Sequence, residues 1–115
     1  RVFLMGYSSK LYSYMKKADA FILSSLWEDP GFVLIEAAMS NLFIISSDCP
    51  NGPKEFLNNG EAGLLYFSNK KNALKEKLEK FCELNEELKI KKIKAKKNCF
   101  KYTIFRHSTY LEKLI

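Results

Sequence analysis

Trp27-Glu28-Asp29-Pro30-Gly31-Phe32-Val33-Leu34-Ile35-Glu36-Ala37 is the stretch on which the reading of this chain turns. A loop carrying one carboxylate, Glu28, turns at Pro30-Gly31 and enters an apolar helix, expected over about residues 31–40, that carries a second, Glu36. Val33, Leu34, Ile35, Ala37, Ala38 and Met39 make that helix apolar nearly all round, so it must be buried on more than one side. Its first backbone N–H groups have no partner within the helix, and they point, with the positive end of the dipole, at whatever lies in front. A phosphate or diphosphate suits that position, and carboxylates on either side, unable to bind phosphate, are free to accept bonds from hydroxyl groups. The ligand so described has sugar, phosphate and sugar in a row. A carboxylate such as Glu36 in so apolar a helix is expensive to bury unless it is hydrogen-bonded or faces a cleft. The alternative is that Glu36 bonds internally or pairs with a basic residue.

Working outward, Ala20-Phe21-Ile22-Leu23 is a continuous apolar run and reads as a parallel strand. The chain leaves it through Ser24-Ser25-Leu26-Trp27, so Glu28 emerges at the carboxyl edge, where open α/β sheets bind ligands. Trp27 reads as a packing residue under the loop. Before this strand, Val2-Phe3-Leu4-Met5, stopped by Gly6, predicts another buried strand, and Leu11, Tyr14, Met15 and Ala18 predict a helix over about 10–18. After the helix, Phe43-Ile44-Ile45 is a strand ending at Ser46-Ser47-Asp48. Cys49-Pro50-Asn51-Gly52 is a turn, Pro53 opens a helix to about residue 58, and Asn59-Gly60 stops it. Leu64-Leu65-Tyr66-Phe67 is the last strand expected. Strands alternating with helices predict an α/β fold: a Rossmann-like parallel sheet of about four strands with right-handed crossovers and helices on both faces.

From Lys70 the pattern turns to helices, dividing a single domain into a βα part, 1–68, and a helical part, 69–115. Leu74, Leu78 and Phe81 share a stripe, Asn85-Glu86-Glu87 starts a new helix, and a final amphipathic helix holds Ile104, Tyr110, Leu111 and Leu114. His107, the single histidine, has no partner motif nearby and reads as a surface or packing residue.

A chain of 115 residues, 47% hydrophobic and 28% charged, is globular in composition and supports one core. No run approaches the ~18 apolar residues of a membrane span, and the first residues do not read as a signal peptide. Cys49, Cys82 and Cys99 are odd in number, widely spaced and without a second ligand type, which predicts free thiols in a reducing, cytoplasmic compartment and no metal site. The net charge of +6 is uneven: seven lysines fall between Lys89 and Lys101, whereas residues 19–48 hold only acidic charges. Interruption of the lysines by Leu88, Ile93 and Phe100 suggests a solvated helix face with a packed side. An anionic membrane surface at the cytoplasmic side is the alternative partner; nucleic acid is disfavoured, since no stacking aromatics alternate with the lysines.

In combination with Ile44-Ile45-Ser46-Ser47-Asp48, the turn Gly52-Pro53-Lys54-Glu55, and the flanking Phe3-Leu4-Met5-Gly6, Ala18-Asp19-Ala20-Phe21-Ile22-Leu23-Ser24-Ser25 and Asn59-Gly60-Glu61-Ala62-Gly63-Leu64-Leu65, the Glu-x7-Glu stretch resembles retaining glycosyltransferase family 4, the glycosyl transferases group 1. The resemblance covers roughly the first two thirds of the chain. It implies the C-terminal, nucleotide-sugar-binding domain of a GT-B enzyme, with the opening elements of that domain and an acceptor-binding domain expected before Arg1. The implied reaction moves a sugar from a UDP- or GDP-linked donor to a glycan or lipid-linked acceptor with retention, without cofactor or metal, in polysaccharide or lipopolysaccharide synthesis. By the same resemblance Glu28 is the catalytic residue, holding donor-sugar hydroxyls, and Glu36 takes the ribose hydroxyls. The N–H groups of Gly31, Phe32 and Val33 face the diphosphate, and Val2, Phe3, Gly6 and Tyr7 help to wall the nucleobase. The 115 residues by themselves are expected to be inactive. The chain departs from the family in having Asp29-Pro30-Gly31 where many members have Gly-Phe-Gly, and proline brings no N–H. The family's diphosphate-neutralising basic residues lie in segments before Arg1, and Lys54 is not assigned their role.

Overall fold

β2, Phe43–Ser47, is buried at every position and is the middle strand of a parallel sheet. The computed structural model describes residues 1–113 and sets β1 (Ala20–Leu23) and β3 (Leu64–Tyr66) on either side of it, in the order β1-β2-β3. Ala20 pairs with Phe43 at one end of β1–β2 and Ile45 with Leu64 at the start of β2–β3. Parallel neighbours need a crossover, and the chain supplies α2 (Val33–Met39) between β1 and β2 and α3 (Pro53–Phe56) between β2 and β3. α1 (Leu11–Met15) precedes the sheet; α4 (Ala73–Glu83), α5 (Glu86–Cys99) and α6 (Ile104–Glu112) follow it.

Alternation along β2 explains the layers. Phe43 and Ile45 face Leu64, Tyr66 and the α4 stripe of Leu74, Leu78 and Phe81, with the Phe43 and Phe81 rings 5.2 Å apart. Ile44 faces the other side, where Leu34, Ala37 and Ala38 of α2 meet Phe56, Leu57, Ala95 and Cys99. A strand covered on both faces needs apolar residues at successive positions, which is why this one reads as a continuous run. The helices lie on both faces, as expected.

Polar ties fix α5 against this core. Lys91 Nζ donates to Gly60 O at 2.7 Å and lies 3.4 Å from Glu87. Asn98 Nδ2 donates to Phe56 O at 2.7 Å, and Lys94 meets Glu61 at 3.2 Å.

Two expectations are corrected. The sheet has three strands, because Val2–Met5 forms none: Val2 and Leu4 are 90% and 97% exposed. Hydropathy registers a demand for burial but does not say which backbone will take the hydrogen bonds, and here no strand among the described residues pairs with the outer edge of β1. Of the residues expected to pack the lysine-rich helix, Leu88 does, against the Phe43 and Ile45 cluster, but Ile93 and Phe100 are 51% and 68% exposed; the helix also buries the small residues Ala95 and Cys99, which let it approach α2 closely. Leu114, expected in the last helix, lies outside the described residues.

Candidate functional site

The carboxyl ends of β1, β2 and β3 lie on one edge, and the loop between β1 and α2 is fastened there by hydrogen bonds from the neighbouring strands. Tyr66 Oη donates to Leu23 O at 3.2 Å. Ser47 Oγ donates to Ser25 O at 2.6 Å, and Ser25 Oγ in turn donates to Glu28 Oε1. The Glu28 carboxylate is thus tied, through two serines, to the middle strand. Its other oxygen, Oε2, lies 3.5 Å from where a Cβ on Gly31 would stand, so the side chain packs on the Gly31 backbone, which turns with φ +76°. Burial pushes the Tyr66 phenol above its usual range, with the charges of Cys49 and Asp48 adding to the effect.

A second close approach seats the loop from the far side. A Cβ on Gly52, where φ is +137°, would stand 2.2 Å from Pro30 O, so only glycine lets the β2–α3 turn sit against the Asp29–Pro30 segment. Gly52 also precedes Pro53, the first residue of α3, where the missing N–H is harmless.

At the start of α2 the first N–H used within the helix is that of Leu34, to Gly31 O at 3.0 Å, followed by Ile35 and Glu36 to Phe32 O. The N–H groups of Gly31, Phe32 and Val33 have no hydrogen-bond partner among the described residues. Glu36 follows in the first turn, half-buried, and among the described residues its carboxylate has neither an ion pair nor a hydrogen bond. Its internal pairing with a basic residue, the alternative raised by the sequence, does not occur there.

Residues 1–98 match the family model described as Glycosyl transferases group 1. The chain belongs to this family. It is 41% identical over 56 residues to an uncharacterized glycosyltransferase of Methanocaldococcus jannaschii, covering 49% of this chain and 14% of that protein. It is 30% identical over 96 residues to N-acetylgalactosamine-N,N'-diacetylbacillosaminyl-diphospho-undecaprenol 4-alpha-N-acetylgalactosaminyltransferase of Campylobacter jejuni, covering 84% of this chain and 26% of that enzyme. The chain therefore spans about a quarter or less of the curated relatives it matches. Among solved structures it is similar to TarM, with a TM-score of 0.76 and 23% identity over 96% of this chain and 22% of that one. Sucrose-phosphate synthase from Thermosynechococcus elongatus gives a TM-score of 0.71 and 19% identity, covering 88% of this chain and 26% of that one. These two likenesses show the fold.

Other residues of this group 1 glycosyltransferase chain lie where the sequence did not foresee. Trp27 is 65% exposed and does not pack beneath the loop, because the serine and tyrosine bonds hold the loop from the strand side. Val2, Phe3, Gly6 and Tyr7 are exposed and stand outside the sheet. Lys54 lines an open cleft of about 600 Å³ whose walls also include Lys101. A larger groove of about 770 Å³ lies at the opposite, amino edge, between Asp19, Asn41 and the α4–α5 junction. The 600 Å³ cleft went unseen in the sequence because its walls are about fifty residues apart, and Asn51, Asn58 and Asn59 read only as a turn, a helix end and a helix stop. His107 is exposed on α6. Among the described residues no group of three or more His, Cys, Asp or Glu side chains is placed to hold a metal ion, and no helix is long and apolar enough to cross a membrane.

Proposed function

We propose that this chain is the donor-binding part of a retaining, family 4 glycosyltransferase of the GT-B type, one that moves a sugar from a UDP- or GDP-linked donor to a glycan or lipid-linked acceptor. The observation that carries the reading is the junction of β1 and α2: three N–H groups uncommitted among the described residues, between a fixed carboxylate, Glu28, and a half-buried one, Glu36, that has no partner among those residues either. The family match spans all of these residues. The diphosphate takes the N–H groups of Gly31, Phe32 and Val33, Glu36 accepts from the ribose hydroxyls, and Glu28 from those of the donor sugar. As the glycosidic bond breaks, negative charge gathers on the diphosphate, where each well-placed donor contributes about 3 kcal/mol to the transition state. Glu28, held by Ser25, keeps the sugar oriented for attack on the face the diphosphate leaves. No step needs a cofactor or metal. The activity for which the Campylobacter jejuni relative is named supports an acceptor linked to a lipid diphosphate, and with it polysaccharide or lipopolysaccharide synthesis.

In this reading the 115 residues furnish one wall of a reaction cleft and bind nucleotide without transferring sugar; the acceptor side and the packing of Val2, Phe3, Gly6 and Tyr7 around the base belong to a larger enzyme. The lysines of α5 give that enzyme, at the cytoplasmic face, a peripheral contact with an anionic membrane. Calorimetric titration of the chain with UDP and GDP, alongside incubation with labelled nucleotide sugars, tests the first part. Binding without transfer is the expected result. Loss of binding by at least tenfold in E36A, which removes charge-assisted hydrogen bonds of about 1.5–3 kcal/mol, identifies the ribose contact. In an enzyme that carries this chain, E28A is expected to lower turnover at least a hundredfold while the protein stays folded. Unchanged turnover by E28A removes Glu28 from the mechanism.

A further inference from the structure

We infer that α5 and the end of α2 form a face that seats into an anionic lipid surface, Met39, Ile93 and Phe100 entering the headgroup layer while lysines meet its phosphates; this rests on the lysine contact proposed above and extends it. Met39, Ile93 and Phe100 are each more than half exposed, yet they are not scattered. Together with Lys96 and Lys97 they line one open depression of about 240 Å³. Lys89, Ile93, Lys96, Lys97 and Phe100 follow one another at intervals of three and four, so they share one row along α5, opposite the buried Ala95 and Cys99. Lys89 and Lys92 extend the same surface, lining with Ile93 the groove at the amino edge of the sheet.

The lysines of α5 divide by what they bind. Lys91 is occupied by Gly60 O and Glu87, and Lys94 by Glu61. Lys89, Lys92, Lys96 and Lys97 form no ion pair among the described residues. Glu86, one turn before Lys89, is the acidic residue of α5 that joins the row. A protein partner suits this composition poorly, because interface cores favour aromatic residues and arginine and are depleted in lysine. Nucleic acid would engage the lysines and leave three apolar side chains against phosphate or water. A bilayer interface takes both: lysine stems lie along apolar surface with their ammonium groups at the phosphates, and apolar side chains enter between the headgroups. Met39 comes from a second helix, so the mixed character belongs to the assembled surface and not to α5 alone. The face is also separate from the donor site, since Met39 ends α2 and the N–H groups of Gly31, Phe32 and Val33 lie at its start, about 10 Å away along the axis.

The experiment is co-sedimentation of the 115-residue chain with extruded vesicles, of phosphatidylcholine alone and of an equimolar mixture with phosphatidylglycerol. Binding to the mixed vesicles and not to phosphatidylcholine is expected. K96Q/K97Q should weaken it about 25-fold, from about fivefold per lysine, whereas K71Q/K77Q, the same loss of charge at α4, should change it by less than about twofold. F100A should weaken it about tenfold and leave the circular dichroism spectrum unchanged, since Phe100 is exposed. Trp27 is the single tryptophan, so in a W27F background F100W reports on the face alone, and its emission should shift to the blue on mixed vesicles as the indole leaves water. Sedimentation that F100A leaves unchanged, with an F100W emission that does not move, overturns insertion and leaves the lysine contact standing. Absence of sedimentation with mixed vesicles removes both, and UDP binding by the same protein still decides the donor reading. Equal sedimentation with the two kinds of vesicle overturns the anionic partner. A chain that is dimeric without vesicles and monomeric as F100A overturns the inference in favour of a second copy, and tighter binding to duplex DNA than to mixed vesicles overturns it in favour of nucleic acid.

Discussion

Gly52→Ala is the perturbation that most directly tests how the Glu28 loop is held. The new Cβ would stand 2.2 Å from Pro30 O and 3.0 Å from its carbonyl carbon. Because a relaxed C···O contact is about 3.3 Å, the two loops must part by about 1 Å. Two costs combine: forcing a side chain to the unfavourable φ of +137°, about 1–3 kcal/mol, and crowding a closed contact, about 1–3 kcal/mol. The total of about 2–6 kcal/mol is a substantial share of the roughly 6–17 kcal/mol that a chain of this length holds, so the variant folds but is weakened. Two controls separate the costs. Gly60, at φ +98°, has nothing within 4 Å of where a methyl group would stand, so Gly60→Ala meets backbone strain without a clash. Gly63 has ordinary φ, but a Cβ there would lie 2.6 Å from Ile44 O and 2.9 Å from a Leu57 methyl, giving a clash without that strain. Urea unfolding followed by circular dichroism should place Gly52→Ala below both. UDP binding should weaken only in Gly52→Ala, since Pro30 moves with Gly31 and Glu28. A Gly52→Ala protein as stable as Gly60→Ala would refute the close approach and the seating of the loop inferred from it.

Other predictions follow from single contacts. Ser47→Ala removes the hydroxyl that donates to Ser25 O, and should cost about 1 kcal/mol in urea unfolding and lower UDP affinity through the loosened Ser25–Glu28 pair. Iodoacetamide should label Cys82 first, because it is exposed; Cys49 and Cys99 are buried, and burial also raises the pKa of the Cys99 thiol, leaving less thiolate to react. Tyr66 gives a pH dependence with a definite sign. Its folded pKa is raised above the ordinary 10.0, so its contribution is fully present below that value and is lost as pH climbs through the higher folded value. Tyr66→Phe should therefore reduce the alkaline fall in stability, measured as the urea midpoint between neutral pH and pH above 10. An identical alkaline slope in the variant would assign that fall to other groups.

Much of the site could be read from the chain because its signals are local. Glu36 stands out in an apolar helix, where an uncompensated carboxylate is costly, and Pro30-Gly31 marks the turn that sets Glu28 before it. The tethers could not be read: Ser25 and Ser47 are ordinary loop and strand-end residues until parallel pairing brings them together. The cleft at Lys101 was hidden for the same reason, since its walls meet only when the end of α5 returns to the β2–α3 turn.

By itself the sequence determined that β1, β2 and β3 are parallel strands separated by helices, that α2 is covered on more than one side, and that Pro53 opens α3, because periodicity and turn chemistry act within a few residues. The tertiary structure alone decided that Val2–Met5 stays outside the sheet, that α5 packs through Ala95 and Cys99 while Ile93 and Phe100 face solvent, and that Gly52 closes on Pro30. An apolar side chain expresses a demand for burial, but which surface meets it, and which backbone groups pair, depends on distant segments arriving at the same place.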